Sequence, residues 1–156
     1  MLEIERKWRV TGVPADLPAP DRIRQGYLTD GDGGEVRLRE RAGRCILTAK
    51  RGQGLVREEG EIEVTAAQLN TLWPLTKGRR LTKQRHTWTE RGARLELDVY
   101  SGALTGLVVL EVEFSSETEA MAWQPPDWVG DELTGVAGWS NGALARQGAP
   151  SPLNAT

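Results

Sequence analysis

Apolar and polar residues alternate with a period of two along most of the chain, and this pattern limits the fold more than any other feature. Successive side chains of a strand point to opposite faces, so the alternation predicts strands with one apolar and one polar face. The pattern is clearest in residues 2–8, 36–39, 59–64, 94–99 and 108–114, and weaker in residues 45–50 and 81–89. Six or more strands in one domain predict a large antiparallel sheet or barrel.

Three short helices are predicted between the strands, each preceded by a Ser, Thr or Asn that can cap it. They cover residues 66–73, the segment from 116 to 123 and the segment from 141 to 147. Residues 12–21 hold three of the eight prolines and predict a loop with room for one helical turn.

The length of 156 residues suits one compact domain. We expect this domain to cover residues 1–148 and residues 149–156 to form a flexible tail. The single cysteine, Cys45, cannot form an internal disulfide, which gives no indication of an oxidising compartment. Charges at positions 3 to 7 argue against a signal peptide, and no apolar run approaches the roughly 18 residues of a membrane span. We therefore expect a soluble, cytoplasmic protein.

The charged residues balance in number but are segregated along the chain. Twenty Lys and Arg against 22 Asp and Glu give a formal net charge of -2, which does not suggest a general nucleic-acid or membrane binder. Residues 77–94 nevertheless hold seven Lys or Arg and one Glu, whereas residues 111–132 hold seven Asp or Glu and no Lys or Arg. Regular aliphatic residues accompany these charges, so we expect the charges on folded elements.

Pairs of like charge recur two residues apart on the polar strand faces. They are Glu3/Glu5, Glu59/Glu61, Glu111/Glu113, Arg37/Arg39 and Lys83/Arg85, with Lys7 and Lys50 in addition. Residues i and i+2 lie roughly 6.6 Å apart on one face, so paired carboxylates need cations, for which Mg²⁺ and Mn²⁺ are suited. Paired Arg and Lys residues bind phosphate oxygens. A single pair is more simply explained by a solvated face with salt bridges, but a closed sheet would bring all the pairs into one cavity.

Several short motifs follow one another in a fixed order over about residues 1–146. They are Glu3-Ile4-Glu5-Arg6-Lys7, Val36-Arg37-Leu38-Arg39, Leu47-Thr48-Ala49-Lys50, Arg57-Glu58-Glu59-Gly60-Glu61, Lys83-Gln84-Arg85, Leu97-Asp98-Val99, Glu111-Val112-Glu113 and residues 128–134. In this order the chain resembles the CYTH superfamily, the triphosphate tunnel metalloenzymes. One such motif alone is weak evidence, whereas the ordered set is specific.

The resemblance implies an α+β, mostly β fold, an eight-stranded antiparallel β-barrel that forms a tunnel open at both ends, with a few short flanking helices. It also implies hydrolysis or cyclisation of organic or inorganic triphosphates with Mg²⁺ or Mn²⁺ as cofactor. The short chain and Tyr27 favour metal-dependent hydrolysis of inorganic triphosphate to diphosphate and phosphate. The implied metal ligands are Glu3, Glu5, Glu111 and Glu113. The implied triphosphate-binding residues are Lys7, Arg37, Arg39, Lys50, Lys83 and Arg85. Glu59, Glu61 and Asp98 would orient these basic residues or complete the surroundings of a second metal.

Tyr27 matches a tyrosine that partners the motif lysine in family members resembling small bacterial inorganic triphosphatases. The resemblance therefore implies catalytic roles for Lys7 and Tyr27, which would position the attacking water unless a second metal does so. A buried lysine among other cations can have a lowered pKa and act as a base, and this role for Lys7 is a hypothesis. A core or rim position is the ordinary alternative for Tyr27.

Residues 135–141 depart from the family pattern, because no acidic and no basic residue precedes Trp139 and Asn141. A basic contact to the distal phosphate is therefore missing or comes from elsewhere in the chain. His86, Trp8 and Trp88 have the parity opposite to the charged pairs, so we expect them to face away from the tunnel.

Other functions remain open at this point. A thiamine triphosphatase or a class IV adenylate cyclase would use the same fold, and a non-catalytic polyphosphate-binding module would keep the basic residues without needing four glutamates. A nucleic-acid binder is disfavoured because the acidic pairs would repel phosphates. The expected partner is a small polyanion, a triphosphate, and neither nucleic acid nor a membrane, while a homodimer remains open.

Overall fold

The computed structural model describes residues 1–31 and 34–150, which form nine strands and three α-helices. The strands are β1 (Leu2–Val10), β2 (Asp21–Tyr27), β3 (Glu35–Arg41), β4 (Arg44–Arg51), β5 (Val56–Val64), β6 (Arg80–Glu90), β7 (Ala93–Tyr100), β8 (Val108–Glu113) and β9 (Val129–Glu132). The helices are α1 (Ala66–Leu72), α2 (Glu117–Ala122) and α3 (Asn141–Gln147), and short 3₁₀ segments cover Trp73–Thr76 and Gly102–Leu104. None of these helices is long and apolar enough to span a membrane.

Eight strands form a closed antiparallel barrel in the order β5-β4-β3-β2-β6-β7-β8-β1. Pairing of β1 with β5, in which Glu3 lies opposite Arg57, closes the barrel. The ninth strand, β9, pairs with the end of β1 between Trp8 and Val10. The predicted mostly β fold and eight-stranded barrel are confirmed.

Strand β2 was not predicted, because its sequence DRIRQGY alternates poorly and contains a glycine. The structure shows why Gly26 is there: a Cβ atom at this position would lie 2.6 Å from the Cβ atom of Thr76, in the 3₁₀ segment that crosses the strand. Residues 21–27 therefore form a strand because of tertiary packing, although their local sequence does not favour one.

The helix predictions agree with the structure to within one residue at each end. Thr65 and Gln68 form a reciprocal capping box at α1. Ser116 caps α2 and Ser140 caps α3, through hydrogen bonds to Glu119 N and Ala143 N respectively. Residues 12–20 contain no helical turn.

The main apolar core lies outside the barrel. Trp8, Leu95, Leu97, Leu110 and Val112 point outward and pack with Ala120 and Trp123 of the α2 region. The rings of Trp8 and Trp123 lie 5.1 Å apart between centroids. Trp88 packs at the edge of this core beside Trp128, as its parity predicted. The charged strand faces consequently point into the barrel.

The C-terminal segment covers one end of the barrel. Leu81, Tyr100 and Val109 point inward at this end and pack with Leu133, Trp139 and Leu144. The resemblance implied a tunnel open at both ends, and the structure differs because this apolar cluster lies across one of them. Of the predicted tail, residues 151–156 lie outside the described residues, and the domain limit at residue 148 remains a prediction.

Candidate active site

The interior of the barrel is a charged cavity of about 1230 Å³. The predicted site residues that line it are Glu3, Glu5, Lys7, Tyr27, Arg37, Arg39, Lys50, Glu59, Glu61, Arg85, Glu111 and Glu113. Two predicted residues, Lys83 and Asp98, are fully buried and do not line this cavity. His86 points away from it, toward the carbonyl oxygen of Pro18.

Two of the four predicted metal ligands have free carboxylates. Glu5 lies opposite Glu113 on the neighbouring strands β1 and β8. Within the described ranges, no side chain or backbone group donates a hydrogen bond to either carboxylate or forms an ion pair with it. Burial, followed by the nearby charge of Glu111, raises the pKa of Glu5 to about 8. The pair is therefore short of positive charge.

The other two predicted ligands are already engaged. Both carboxylate oxygens of Glu3 accept hydrogen bonds of 2.9 Å from Lys50 Nζ. Glu111 accepts from Arg85 Nη2 and Asn141 Nδ2, each at 3.0 Å. In the part of the chain that the structure describes, no three Asp, Glu, His or Cys side chains are grouped to hold a metal by themselves. Mg²⁺ commonly takes one or two carboxylates and completes its shell with substrate phosphates and water, so the oxygens of Glu5 and Glu113 fit such an ion.

Arg37 and Arg39 supply positive charge that no carboxylate of the described residues neutralises. Neither guanidinium forms an ion pair with a described residue. Arg39 Nε donates to Gln25 Oε1 at 3.0 Å, while the buried Nε of Arg37 has no acceptor. Burial, together with the charges of Arg37 and Arg85, lowers the pKa of Arg39 to about 9. Two adjacent cations without carboxylate partners are suited to binding an anion.

Asp98 organises the basic residues of β6. Its carboxylate binds Arg85 through two hydrogen bonds of 2.6 and 2.7 Å and Lys83 Nζ through one of 2.6 Å. Glu96 accepts a further bond of 2.7 Å from Arg85 Nη1. Burial lowers the pKa of Lys83 to about 7, and its ammonium lies between Asp98 and Asn141. Lys83 points into the barrel like Arg85 but is buried beside Tyr100 and Asn141, whereas Arg85 reaches the cavity.

Glu59 and Glu61 contact neighbouring strand β4. Glu59 lies 3.2 Å from Lys50 Nζ, and Glu61 accepts a bond of 2.8 Å from Thr48 Oγ1. Lys50 is thus held between Glu3 and Glu59. The orienting role that the resemblance implied for Glu59 and Glu61 stays a prediction.

Lys7 and Tyr27 lie on opposite walls, since four strand positions separate β1 from β2 in either direction around the barrel. Lys7 Nζ donates to the carbonyl oxygen of Trp139 at 2.9 Å and lies 3.8 Å from Glu111 Oε1. The hydroxyl of Tyr27 accepts from Gln25 Nε2 at 2.9 Å. No hydrogen bond joins the two predicted catalytic residues.

Several cavity or network residues were not predicted as parts of the site, among them Gln25, Glu35, Arg57, Glu96, Asn141 and Arg146. Gln25 shares the parity of Tyr27, but strand β2 itself was not recognised. Asn141 was assigned only as a candidate helix cap. Its amide instead connects Glu111, Lys83 and the hydroxyl of Tyr100.

Comparison with known proteins places this arrangement in a family. The chain is 43% identical over 147 residues to an inorganic triphosphatase of Nitrosomonas europaea, covering 93% of this chain and 97% of that protein. The chain belongs to the inorganic triphosphatase family. An inorganic triphosphatase of Acetivibrio thermocellus is 31% identical over 147 residues, covering 92% of this chain and 93% of its own. Comparison with family models finds no match.

Solved structures agree with membership of the inorganic triphosphatase family. The crystal structure of the inorganic triphosphatase NE1496 superposes with a TM-score of 0.70 at 40% identity, covering 95% of this chain and 97% of that one. A Pyrococcus horikoshii protein, PH1012, shares the fold at 18% identity, with a TM-score of 0.59 over 82% of this chain and 94% of that one. The family predicted from the ordered motifs is thereby confirmed.

Proposed function

We propose that this protein hydrolyses inorganic triphosphate to diphosphate and phosphate inside the barrel. One observation carries the proposal: a single cavity holds two arginines, Arg37 and Arg39, without a carboxylate partner among the described residues, and two carboxylates, Glu5 and Glu113, without a donor among them. A polyanion satisfies the first pair and a metal ion the second. The names of the two similar proteins support the same substrate.

We propose Mg²⁺ or Mn²⁺ as the cofactor, held by Glu5 and Glu113, with Glu3 and Glu111 close enough along their strands to join them. When bound, such an ion supplies charge neutralisation at phosphate oxygens. Glu5 and Glu113 orient it from one wall, and the remaining positions are left for water and substrate.

Arg37, Arg39, Lys50 and Arg85 hold the triphosphate and stabilise the negative charge that develops on the transferred phosphoryl group. Phosphoryl transfer depends mainly on positioning and on fixed charges, so prearranged cations are the chain's main contribution. Asp98 and Glu96 fix the Arg85 guanidinium before substrate arrives. Lys83 supports this arrangement through its own bond to Asp98.

Lys7 and Tyr27 are the catalytic residues of this proposal: Lys7 positions the attacking water, and Tyr27 contacts the substrate from the opposite wall. Lys7 is already anchored to the Trp139 carbonyl and has two further N–H groups to donate. Tyr27 keeps its proton at neutral pH, because burial raises the pKa of its hydroxyl. Their places on opposite walls put the substrate between them.

We also propose that the protein acts in the cytoplasm and binds neither nucleic acid nor membranes. The buried arginines that have no carboxylate partner among the described residues, Arg37 and Arg39, line the barrel interior, which a duplex or a lipid surface cannot enter. The free thiol of Cys45 is buried and suits a reducing compartment.

The test is phosphate release from tripolyphosphate, ATP and thiamine triphosphate in EDTA, Mg²⁺ or Mn²⁺, with Glu5→Gln and the exposed control Glu90→Gln. We expect metal-dependent release mainly from tripolyphosphate, lost in Glu5→Gln and retained in Glu90→Gln. Release only from ATP or thiamine triphosphate would assign an organic substrate. Binding without release of any product would leave a polyphosphate-binding protein.

A further inference from the structure

Unsatisfied guanidinium groups are concentrated in the barrel cavity. Four buried side-chain atoms of the described residues have no hydrogen-bond partner: Arg37 Nε, Arg57 Nε, Arg146 Nη1 and Trp123 Nε1. The three arginines all line the cavity. Buried donors are almost always paired in folded proteins, so three unpaired ones in one cavity indicate a missing acceptor.

Arg57 and Arg146 lie on either side of Glu35 at the α3 end of the cavity. Arg57 Nη2 lies 3.5 Å from Glu35 Oε2. A Cβ atom at Gly142 would lie 2.5 Å from Glu35 Oε1 and 3.0 Å from Arg146 Nη1, so the carboxylate and the guanidinium both pack against this glycine. Each guanidinium carries five N–H donors, which one carboxylate cannot satisfy for both. Positive charge is therefore in excess beside Glu35.

We propose that Arg57 and Arg146 form a second anion subsite, which binds the terminal phosphoryl group of inorganic triphosphate while Arg37 and Arg39 hold the rest. This inference rests on the proposed function. Glu35 and Arg37 share one face of β3 two residues apart, roughly 6.6 Å, so one short phosphate chain reaches both groups. Arg146 thus supplies, from α3, the basic contact that residues 135–141 lack.

Glu35 has two effects in this subsite. Without substrate it holds Arg57 near the cavity, and with substrate its charge opposes that of the phosphate. A purely structural role for the arginines, as partners of Glu35 or at the C-terminus of α3, makes a different prediction. In that case, loss of Glu35 and loss of either arginine would perturb the protein in the same direction.

The experiment measures dissociation constants for tripolyphosphate and diphosphate by titration calorimetry in EDTA. The variants are Arg146→Gln, Arg57→Gln, Glu35→Gln and Arg146→Lys, with exposed Lys77→Gln and Glu90→Gln as charge-matched controls. Arg146→Gln and Arg57→Gln should weaken tripolyphosphate binding about tenfold, the scale of one charge-assisted hydrogen bond. Diphosphate should be affected less, because it is too short to span both sites, and Arg146→Lys should restore part of the affinity.

Glu35→Gln should strengthen tripolyphosphate binding, opposite in direction to the arginine variants. Failure of the wild type to bind tripolyphosphate in EDTA, unchanged affinity in Arg146→Gln, or weaker binding in Glu35→Gln would overturn the subsite. Since no metal and no turnover are involved, this outcome is separable from failure of the proposed function, which is absence of metal-dependent phosphate release by the wild type.

Discussion

Glu5 and Glu113 lie directly opposite each other on the neighbouring strands β1 and β8, and neither carboxylate accepts a hydrogen bond from a described residue. The other described acidic residues on the cavity wall are each paired with a cation or a hydroxyl group, as Glu3 is with Lys50 and Glu111 with Arg85. The two exceptions mark where an external cation would complete the charge balance.

Glu113→Gln should lower kcat for tripolyphosphate at least tenfold at limiting Mg²⁺ and raise the Mg²⁺ concentration needed for half-maximal rate, because one of two anionic oxygen ligands becomes neutral. Steady-state assays over a range of Mg²⁺ concentrations measure both quantities. Glu90→Gln, an exposed residue on β6, serves as the control. An unchanged Mg²⁺ requirement would argue against Glu113 as a ligand.

The pH dependence of stability should report the burial of Glu5. Its pKa rises from 4.5 to about 8 on folding, so the folded chain binds the proton more tightly than the unfolded chain. The stability contributed by this proton is present below pH 4.5 and is lost as the pH rises toward 8. In EDTA, the free energy of unfolding of wild type should therefore fall more between pH 5 and pH 8 than that of Glu5→Gln. Urea titrations at several pH values measure it, and parallel profiles would contradict the prediction.

Asp98→Ala should reduce the free energy of unfolding by about 3–5 kcal/mol, since it leaves Lys83 and Arg85 buried without their shared carboxylate. Urea denaturation gives the difference. The matched comparison is Glu63→Gln, which removes the carboxylate of an ion pair whose Arg44 and Glu63 side chains are 64% and 61% exposed. That change should cost less than about 1 kcal/mol. Equal effects would mean that Asp98 does not organise the interior.

Arg39→Gln should separate binding from stability. Arg39 has no carboxylate partner among the described residues, and burial, followed by the charges of Arg37 and Arg85, lowers its pKa. Its loss should raise KM for tripolyphosphate about tenfold or more while lowering the free energy of unfolding by no more than about 1 kcal/mol. Kinetic assays and urea denaturation of the same variant provide the two readouts. A large loss of stability with unchanged KM would mean that Arg39 stabilises the fold and does not bind the substrate.

Most of the barrel could be predicted from the sequence, because the period of two fixes which face each side chain takes once strands form. The alternation in β1, β7 and β8 assigned Trp8 to the outside and Glu5 and Glu111 to the inside, as observed. Strand β2 was missed because Gly26 and two arginines interrupt its pattern, and only the crossing of Thr76 explains the glycine.

The sequence by itself determined the face of each charged pair and, through the order of those pairs, the family. Only the tertiary structure decided which charges neutralise one another. Lys7 donates a hydrogen bond to the carbonyl oxygen of Trp139, 132 positions away in the sequence, and Glu111 accepts one from Asn141, 30 positions away. The odd or even position of a residue decides which face of the strand its side chain takes. It does not decide how deep in the barrel that side chain lies or which side chain it contacts. Closure of the sheet and the docking of α3 decide both, and they leave Glu5, Glu113, Arg37 and Arg39 without an ion-pair partner in the described part of the chain.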